Sequence, residues 1–412
     1  MSMPKGGMLR DIKKGHIFHM GQTNSKPSAP PPGRLYHLDN FRTFLTILVI
    51  FHHTAIPYGG LGSWKYVSPH HVQGSSPILT AFNALNQTFF MGSFFYISGV
   101  LSSRSLPRKS VPQFLKTKWV KLGIPVLVYT LLAPPTQVAV MRLLRGTHAE
   151  FRQVLTAHLK TLRSVSGPMW YPALLLLFDT AYALLPQIPL SLSLQNPNLA
   201  FSHIMLLDIT ACALLRVPSP AHRVFAPLSV RPDYFPQYLS AYILGTLARS
   251  APKDHTSAST PAPLLLTPTR RNALLATSIL SASFLISIPR SQPGAYAFVF
   301  LHSGFNAASF AYAVWNESTG FLVGASLMHL FEPREWGRRR WGGAGGVGRY
   351  SYAAFLVHPV VCVGVQAAAE DWGAGGGDGV LRSVGCGVLG VLGSWAVAWG
   401  VVRVPGLGRV LL

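Results

Sequence analysis

Charge is what this 412-residue chain has least of. Only 12% of its residues are Asp, Glu, Lys or Arg, about half the share of an ordinary soluble domain, while 49% are hydrophobic. A soluble enzyme of this size is excluded on that ground. Acid is scarcer still: 13 acidic residues stand against 35 Lys and Arg, a net charge of +22. Such an excess suits a nucleic-acid binder only when it forms a surface. Here it sits in short clusters between long uncharged runs, as a protein crossing a bilayer many times requires, so no nucleic acid is expected and the partner is the lipid bilayer. Cysteine is rare too: Cys212, Cys362 and Cys386 all lie in apolar segments, too few for a disulfide framework or a thiolate zinc site, and no metal is expected. No internal repeat points to an inverted-repeat transporter. The Gly-rich stretches 342–348 and 373–379 lack the strand-turn-helix setting of a phosphate loop, and there is no Gly-x-Ser-x-Gly elbow.

What remains is helix. About 20 apolar residues cross a hydrocarbon core about 30 Å thick, and ten runs qualify approximately: 40–58, 78–101, 119–135, 169–186, 199–216, 234–249, 272–289, 305–331, 350–369 and 380–402. The expected fold is therefore all-α, a polytopic transmembrane helical bundle of about ten spans. The eighth run is long enough to be tilted, kinked at Gly320 or split into two half-helices, and a split would change the parity. With ten spans and both termini cytosolic, 23 basic residues fall inside and 9 outside, which fits the positive-inside rule. One loop dissents. Residues 136–168 should be outside yet carry Arg142, Arg145, Arg152, Lys160 and Arg163. Within it Phe151, Leu155, Leu159 and Leu162 recur at helical spacing, the pattern of an amphipathic helix on the membrane surface.

Three parts follow: a basic, Pro-rich cytosolic tail over 1–34, expected to be disordered and without a signal-peptide core; a membrane domain over 35–402; and a short cytosolic tail over 403–412. Residues 250–268, rich in Ser, Thr, Pro and Ala, read as a flexible loop.

An ionisable side chain inside a span costs several kcal/mol, so it is a functional candidate by default. The first span begins Asp39-Asn40-Phe41-Arg42 and ends His52-His53-Thr54. Arg42 and His53 are eleven residues apart, about 20° from three full turns, so they share one helix face about 16 Å apart along the axis. His52 is turned about 100° away. Asp39 and Asn40 are read as N-cap residues, with Asp39 also able to pair with Arg42. In the second span Gly92, Ser93, Ser98 and Gly99 permit close helix approach. Lys118 and Lys121 lie one turn apart at the start of the third.

Taken in order, several blocks resemble the acyltransferase 3 family of integral-membrane acyltransferases. They are Tyr36 to Arg42 with His52-His53-Thr54-Ala55, similar to an Arg-x10-His signature; Phe89 to Leu101; Phe114 to Pro125; Gly167-Pro168-Met169-Trp170-Tyr171; Ala313-Val314-Trp315-Asn316-Glu317; and Arg349 to Pro359 with its Leu-x-His-Pro ending. The likeness covers about residues 35–402. It implies transfer of an acyl group, acetyl being the expected one, from an acyl-CoA co-substrate to a hydroxyl of a carbohydrate, lipid or secondary metabolite, with no bound cofactor. His53, Arg42, His52 and His358 are the implied catalytic group. Asp39, Lys118, Lys121, Ser98, Trp170 and Glu317 are the implied donor- or substrate-binding residues. A histidine near neutral pKa suits removal of a hydroxyl proton, and the cations suit the donor's phosphates. Whether His53 acts as base or carries the acyl group stays open at this level. So does a proton-coupled transporter using Asp179, Asp208, Glu317, His203 and His329, and so does the choice of membrane.

Overall fold

A computed structural model of the chain describes residues 35–147, 150–185, 197–218, 224–248, 266–287, 304–332, 335–342, 346–370 and 378–411. The tail 1–34, most of the loop 250–268 and the centres of both Gly-rich stretches lie outside the described residues.

Within the described residues, each of the ten apolar runs is built around a helix. They correspond to α1 (Tyr36–Ala55), α2 (Pro77–Ser105), α3 (Val111–Lys118) continuing through a π-helical turn at Trp119–Gly123 into α4 (Ile124–Leu144), α6 (Trp170–Leu184), α7 (Pro197–Arg216), α8 (Phe235–Leu247), α9 (Pro268–Ser287), α10 (Ala307–Phe331), α12 (Ser351–Ala368) and α13 (Gly379–Val401). The amphipathic stretch is α5 (Phe151–Thr161), and a single turn, α11 (Glu335–Arg338), follows α10. Among the described residues there is no strand, only one bridge between Phe225 and Val230. Among the described residues, four helical segments are long and apolar enough to cross a membrane: Val111–Leu144, Asn198–Arg216, Val347–Ala368 and Gly379–Val401. The other runs differ for physical reasons. Helices α6 and α8 have only 15 and 13 residues. Helices α2 and α10 carry buried polar groups, among them Asn83, Asn86 and Ser93 on one and Asn316 and Glu317 on the other.

The eighth run is one unbroken helix, α10, rather than two halves. Gly320 serves contact there: a Cβ at that position would strike the Thr88 carbonyl of α2. Helix α2 is the hub, packed on α8, α10, α1 and α9. Its crossing with α8 is made by two glycines that each meet the other helix's backbone, Gly99 on the Tyr242 carbonyl and Gly245 on the Tyr96 carbonyl. The small-residue stretch of the second span thus does what its composition predicts.

Helix starts follow capping chemistry. The side chains of Ser76, Asn306 and Asp378 accept from the backbone N–H of Leu79, Ser309 and Val380, and Pro77 sits in the first turn. The expected caps of the first helix are a correction. Helix α1 begins at Tyr36, before Asp39 and Asn40, and Asn40 Nδ2 donates to the carbonyls of Gly337 (2.8 Å) and Arg339 (2.7 Å), tying α1 to the segment after α10. Residues 403–411 also do more than trail: α14 (Leu407–Leu411) packs near Trp119–Gly123 with Leu411 buried.

Prolines inside helices free carbonyls four residues earlier, because proline has no N–H. Pro125 frees the Lys121 carbonyl, which accepts the Tyr352 hydroxyl at 2.9 Å. Pro134 frees the Thr130 carbonyl, which lies 2.8 Å from His158 Nε2. The first bond ties the π-helical turn before α4 to α12, and the second ties α4 to α5.

The α2–α8 crossing gives a direct prediction. Gly245→Val forces the backbones apart and is expected to destabilise the protein by about 1–3 kcal/mol or more, the usual cost of overpacking. Detergent-extracted protein should melt at lower temperature and lose its monodisperse elution peak. An unchanged melting profile would show that the crossing is looser than described.

Candidate active site

Two regions of α1 are organised by α12, one at each end of the face shared by Arg42 and His53. At the first, Arg42 Nη2 pairs with Asp39 Oδ1 at 3.1 Å, and Arg42 Nε donates to Ser351 Oγ at 3.3 Å. At the second, His53 Nδ1 lies 3.0 Å from His358 Nε2, the rings nearly parallel at 5.2 Å. Ser351 and His358 are two turns apart on α12, so one helix receives both ends of the predicted face.

The tautomers follow from the partners. His358 Nδ1 is 2.6 Å from the Phe355 carbonyl, which can only accept, so Nδ1 carries the hydrogen. Pro359 makes this possible, since the helix has no N–H to offer that carbonyl. In the neutral ring His358 Nε2 is then an acceptor, and His53 Nδ1–H must donate to it. The remaining lone pair is on His53 Nε2. Trp64 stacks on the His53 ring at 4.4 Å and is fixed by its own Nε1–H bond to Gln366 Oε1 at 2.7 Å.

His53, His52, Trp64, Phe355, Pro359 and Trp170 line a cavity of about 770 Å³. His358 stands behind His53. His52 rests against Phe90, ring centroids 5.0 Å apart, and its Nδ1 has no hydrogen-bond partner. The cavity therefore reaches both histidines, although they point in different directions. A layer containing Phe94, Tyr171 and Phe355 lies alongside it, with Ser98 Oγ bonded to the Tyr171 hydroxyl at 2.9 Å.

The other candidate residues divide. Lys121 is half-buried and feels the charges of Lys109, Lys118 and Arg42. The Lys118 ammonium is committed elsewhere: it lies 2.8 Å from Asp179 Oδ2 and 2.8 Å from Ser102 Oγ. Tyr242 also donates to Asp179 Oδ1, at 2.8 Å. A donor phosphate at Lys118 would compete with that buried pair. Glu317 stands apart from the cavity, in a fully buried cluster where one ligand atom each of Asp208, Cys212 and Glu317 lies within 4.8 Å of the others. Those three could hold a cation, but the Arg216 guanidinium, 3.8 Å from Glu317 Oε1 and 3.9 Å from Asp233 Oδ2, already supplies positive charge there.

A reading of the sequence missed Trp64, Gln366 and Phe355. Trp64 lies in a connection with no periodicity, and the role of Phe355 is carried by its carbonyl rather than its side chain. A helix-interior His-Pro pair is the signal that marks it.

With this geometry in view, the family is settled by comparison. The model of an acyltransferase domain, the acyltransferase 3 family, matches residues 35–399. The chain belongs to that family of membrane acyltransferases; it is an enzyme transferring groups other than amino-acyl groups, which displaces the transporter alternative. No curated protein and no solved structure matches it.

Lys118 gives the test that separates structure from catalysis. Lys118→Met leaves Asp179 charged and buried without its partner and should destabilise the fold by about 3–5 kcal/mol, while Lys118→Met with Asp179→Leu should recover much of that. Thermal melting of the purified variants reads both. A fully stable Lys118→Met that only loses donor affinity would return Lys118 to the donor site.

Proposed function

We propose that the protein transfers an acyl group, acetyl in the simplest case, from an acyl-CoA donor to a hydroxyl of a carbohydrate, lipid or secondary metabolite, with His53 as general base. The observation that carries this reading is the Phe355–His358–His53 relay, which ends on an unprotonated nitrogen of a cavity-lining histidine. His53 Nε2 takes the acceptor's hydroxyl proton as the oxygen attacks the thioester carbonyl. The C–S bond then breaks, the ester forms, and the proton passes to the departing thiolate, giving free CoA. The imidazolium formed on the way is held by the His358 acceptor on one side and by the face of Trp64, a cation–π contact. His358 is a positioning residue, comparable in its task to the carboxylate that orients a catalytic histidine.

Arg42, Lys121 and Lys109 stand at the opposite end of α1 from His53, suited to the anionic part of the donor. With ten spans and cytosolic termini, that end faces the cytosol and the His53 cavity faces the other side, and the basic-residue bias supports this orientation. The protein is then an integral, multi-pass membrane protein, with the donor arriving from one side and the acceptor from the other.

Expected outcomes follow for turnover of detergent-extracted, folded protein with acyl-CoA. His53→Ala should lose at least about 10²–10⁴ in rate, and His52→Ala should be much milder. Pro359→Ala discriminates further. It returns a backbone N–H to the Phe355 carbonyl, which should leave the fold as stable or more so while lowering kcat roughly tenfold, because His358 loses its fixed tautomer. A fully active His53→Ala would remove the base, and a fully active Pro359→Ala would remove the relay. Arg42→Ala should weaken donor affinity by about ten- to a hundredfold, the worth of one charge-assisted contact. Equal donor affinity would reduce Arg42 to a membrane anchor.

A further inference from the structure

The basic loop that breaks the positive-inside pattern has a structural destination. Of its five cations, Arg145 is spent on Glu370, with Nε–Oε2 at 2.6 Å and a second bond at 3.1 Å. Arg152 and Lys160 project from α5 as exposed side chains. The remaining two, Arg142 and Arg163, are exposed as well, but with Lys65 they line the cavities that lead to His53. Arg163 and Lys65 line the His53 cavity, and Lys65 with Arg142 lines an adjoining cavity of about 460 Å³. The two cavities share Lys65, Pro134, His158 and Thr161, so they form one approach. Among the described residues that line the two cavities, none is Asp or Glu.

His158 shows that the approach is built. Its Nε2 is held on the carbonyl that Pro134 frees, which locks α5, and hence the chain leading to Arg163, against α4. Cations on the translocated side of a membrane protein oppose its insertion. A loop that retains them, and brings two of them with Lys65 to cavities whose described lining holds no acid, is suited to an anion.

We infer that the acceptor hydroxyl belongs to a molecule carrying an anionic group, a carboxylate or a phosphate, which Lys65, Arg142 and Arg163 hold while its hydroxyl reaches His53. This rests on the acyl-transfer reading above and adds the acceptor's charge to it. The donor's phosphates are the competing source of negative charge, and they are assigned to the other end of α1.

The test has two arms. First, metabolites of cells producing the wild-type protein are compared with those of cells producing His53→Ala, and each compound that loses an acyl mass is checked, as its unacylated parent, for retention on an anion exchanger at neutral pH. Retention is expected. A neutral parent overturns the inference while leaving acyl transfer standing; no acyl difference at all removes the acyl-transfer reading and this inference with it. Second, the full-length Lys65→Gln/Arg163→Gln protein is assayed with that parent and acyl-CoA. Its KM for the acceptor should rise roughly tenfold or more, with kcat and the KM for acyl-CoA unchanged, and the difference from wild type should shrink as salt screens the charges. A rise in the acyl-CoA KM with an unchanged acceptor KM would place the donor at this mouth and overturn the inference.

Discussion

A hydrogen bond that proline cannot make is the constraint on which the site depends. Pro359 has no N–H for the Phe355 carbonyl, and in a low-dielectric interior an unsatisfied carbonyl is costly. His358 Nδ1 takes that carbonyl at 2.6 Å, which fixes its hydrogen, then its acceptor nitrogen, then the hydrogen on His53 Nδ1. Three atoms of proton placement follow from one missing donor. The same device recurs at Pro125 with Tyr352 and at Pro134 with His158. Each freed carbonyl becomes a fixing point for a side chain, at the His53 relay, between the π-helical turn before α4 and α12, and between α4 and α5.

The buried charges obey the complementary rule. Asp179 is buried against a partly exposed Lys118, and Arg216 is buried with Glu317 and Asp233; each is matched by opposite charge. Breaking one partner away costs far more than the pair contributes. These residues look catalytic in a sequence because ionisable groups in spans are rare. In the structure they join α3 to α6, and α7 to α10 and the turn that begins α8. His53 differs in kind: its partner is a neutral histidine and its second nitrogen is left for the cavity.

How much of this was legible depended on whether the determining partner was near in sequence. The ten apolar runs and the amphipathic α5 could be read because apolar runs and helical spacing are local properties, whereas α3 and the single turn α11, short and less apolar, could not. The shared face of Arg42 and His53 could be read because helix geometry fixes it, and α12 receives both. The close crossing at Gly99 was visible in composition. Asn40 was misread as a cap because a cap and a tertiary donor are the same residue type in the same place, and its carbonyl partners lie about three hundred residues on. Lys118 was legible as a cation, but its commitment to Asp179 was not, since nothing local marks which acid it meets. Trp64 was invisible because it acts from an irregular connection. His358 stood out as a candidate, yet its positioning task emerges only when Pro359 is read as a missing donor.

The separation along α1 bears on how two substrates of opposite origin can meet. Arg42 and His53 lie about 16 Å apart on one helix face, and the layer of Phe94, Tyr171 and Phe355 sits beside that path. In the proposed reaction, a donor held by its phosphates at Arg42 would have to extend its thioester past this layer to reach His53 Nε2. On the same proposal, an acceptor arriving by the cationic mouth would reach that nitrogen from the other end. Under that reading, the aromatic layer between the two would limit water at the thioester and so favour the hydroxyl positioned at His53 over one from solvent. On this arrangement the ionisable residues of α1 are confined to its ends, and between Leu45 and Phe51 the one polar side chain, Thr46, is turned back onto the Arg42 carbonyl. A path kept free of charge in this way suits the proposed chemistry as well as the span.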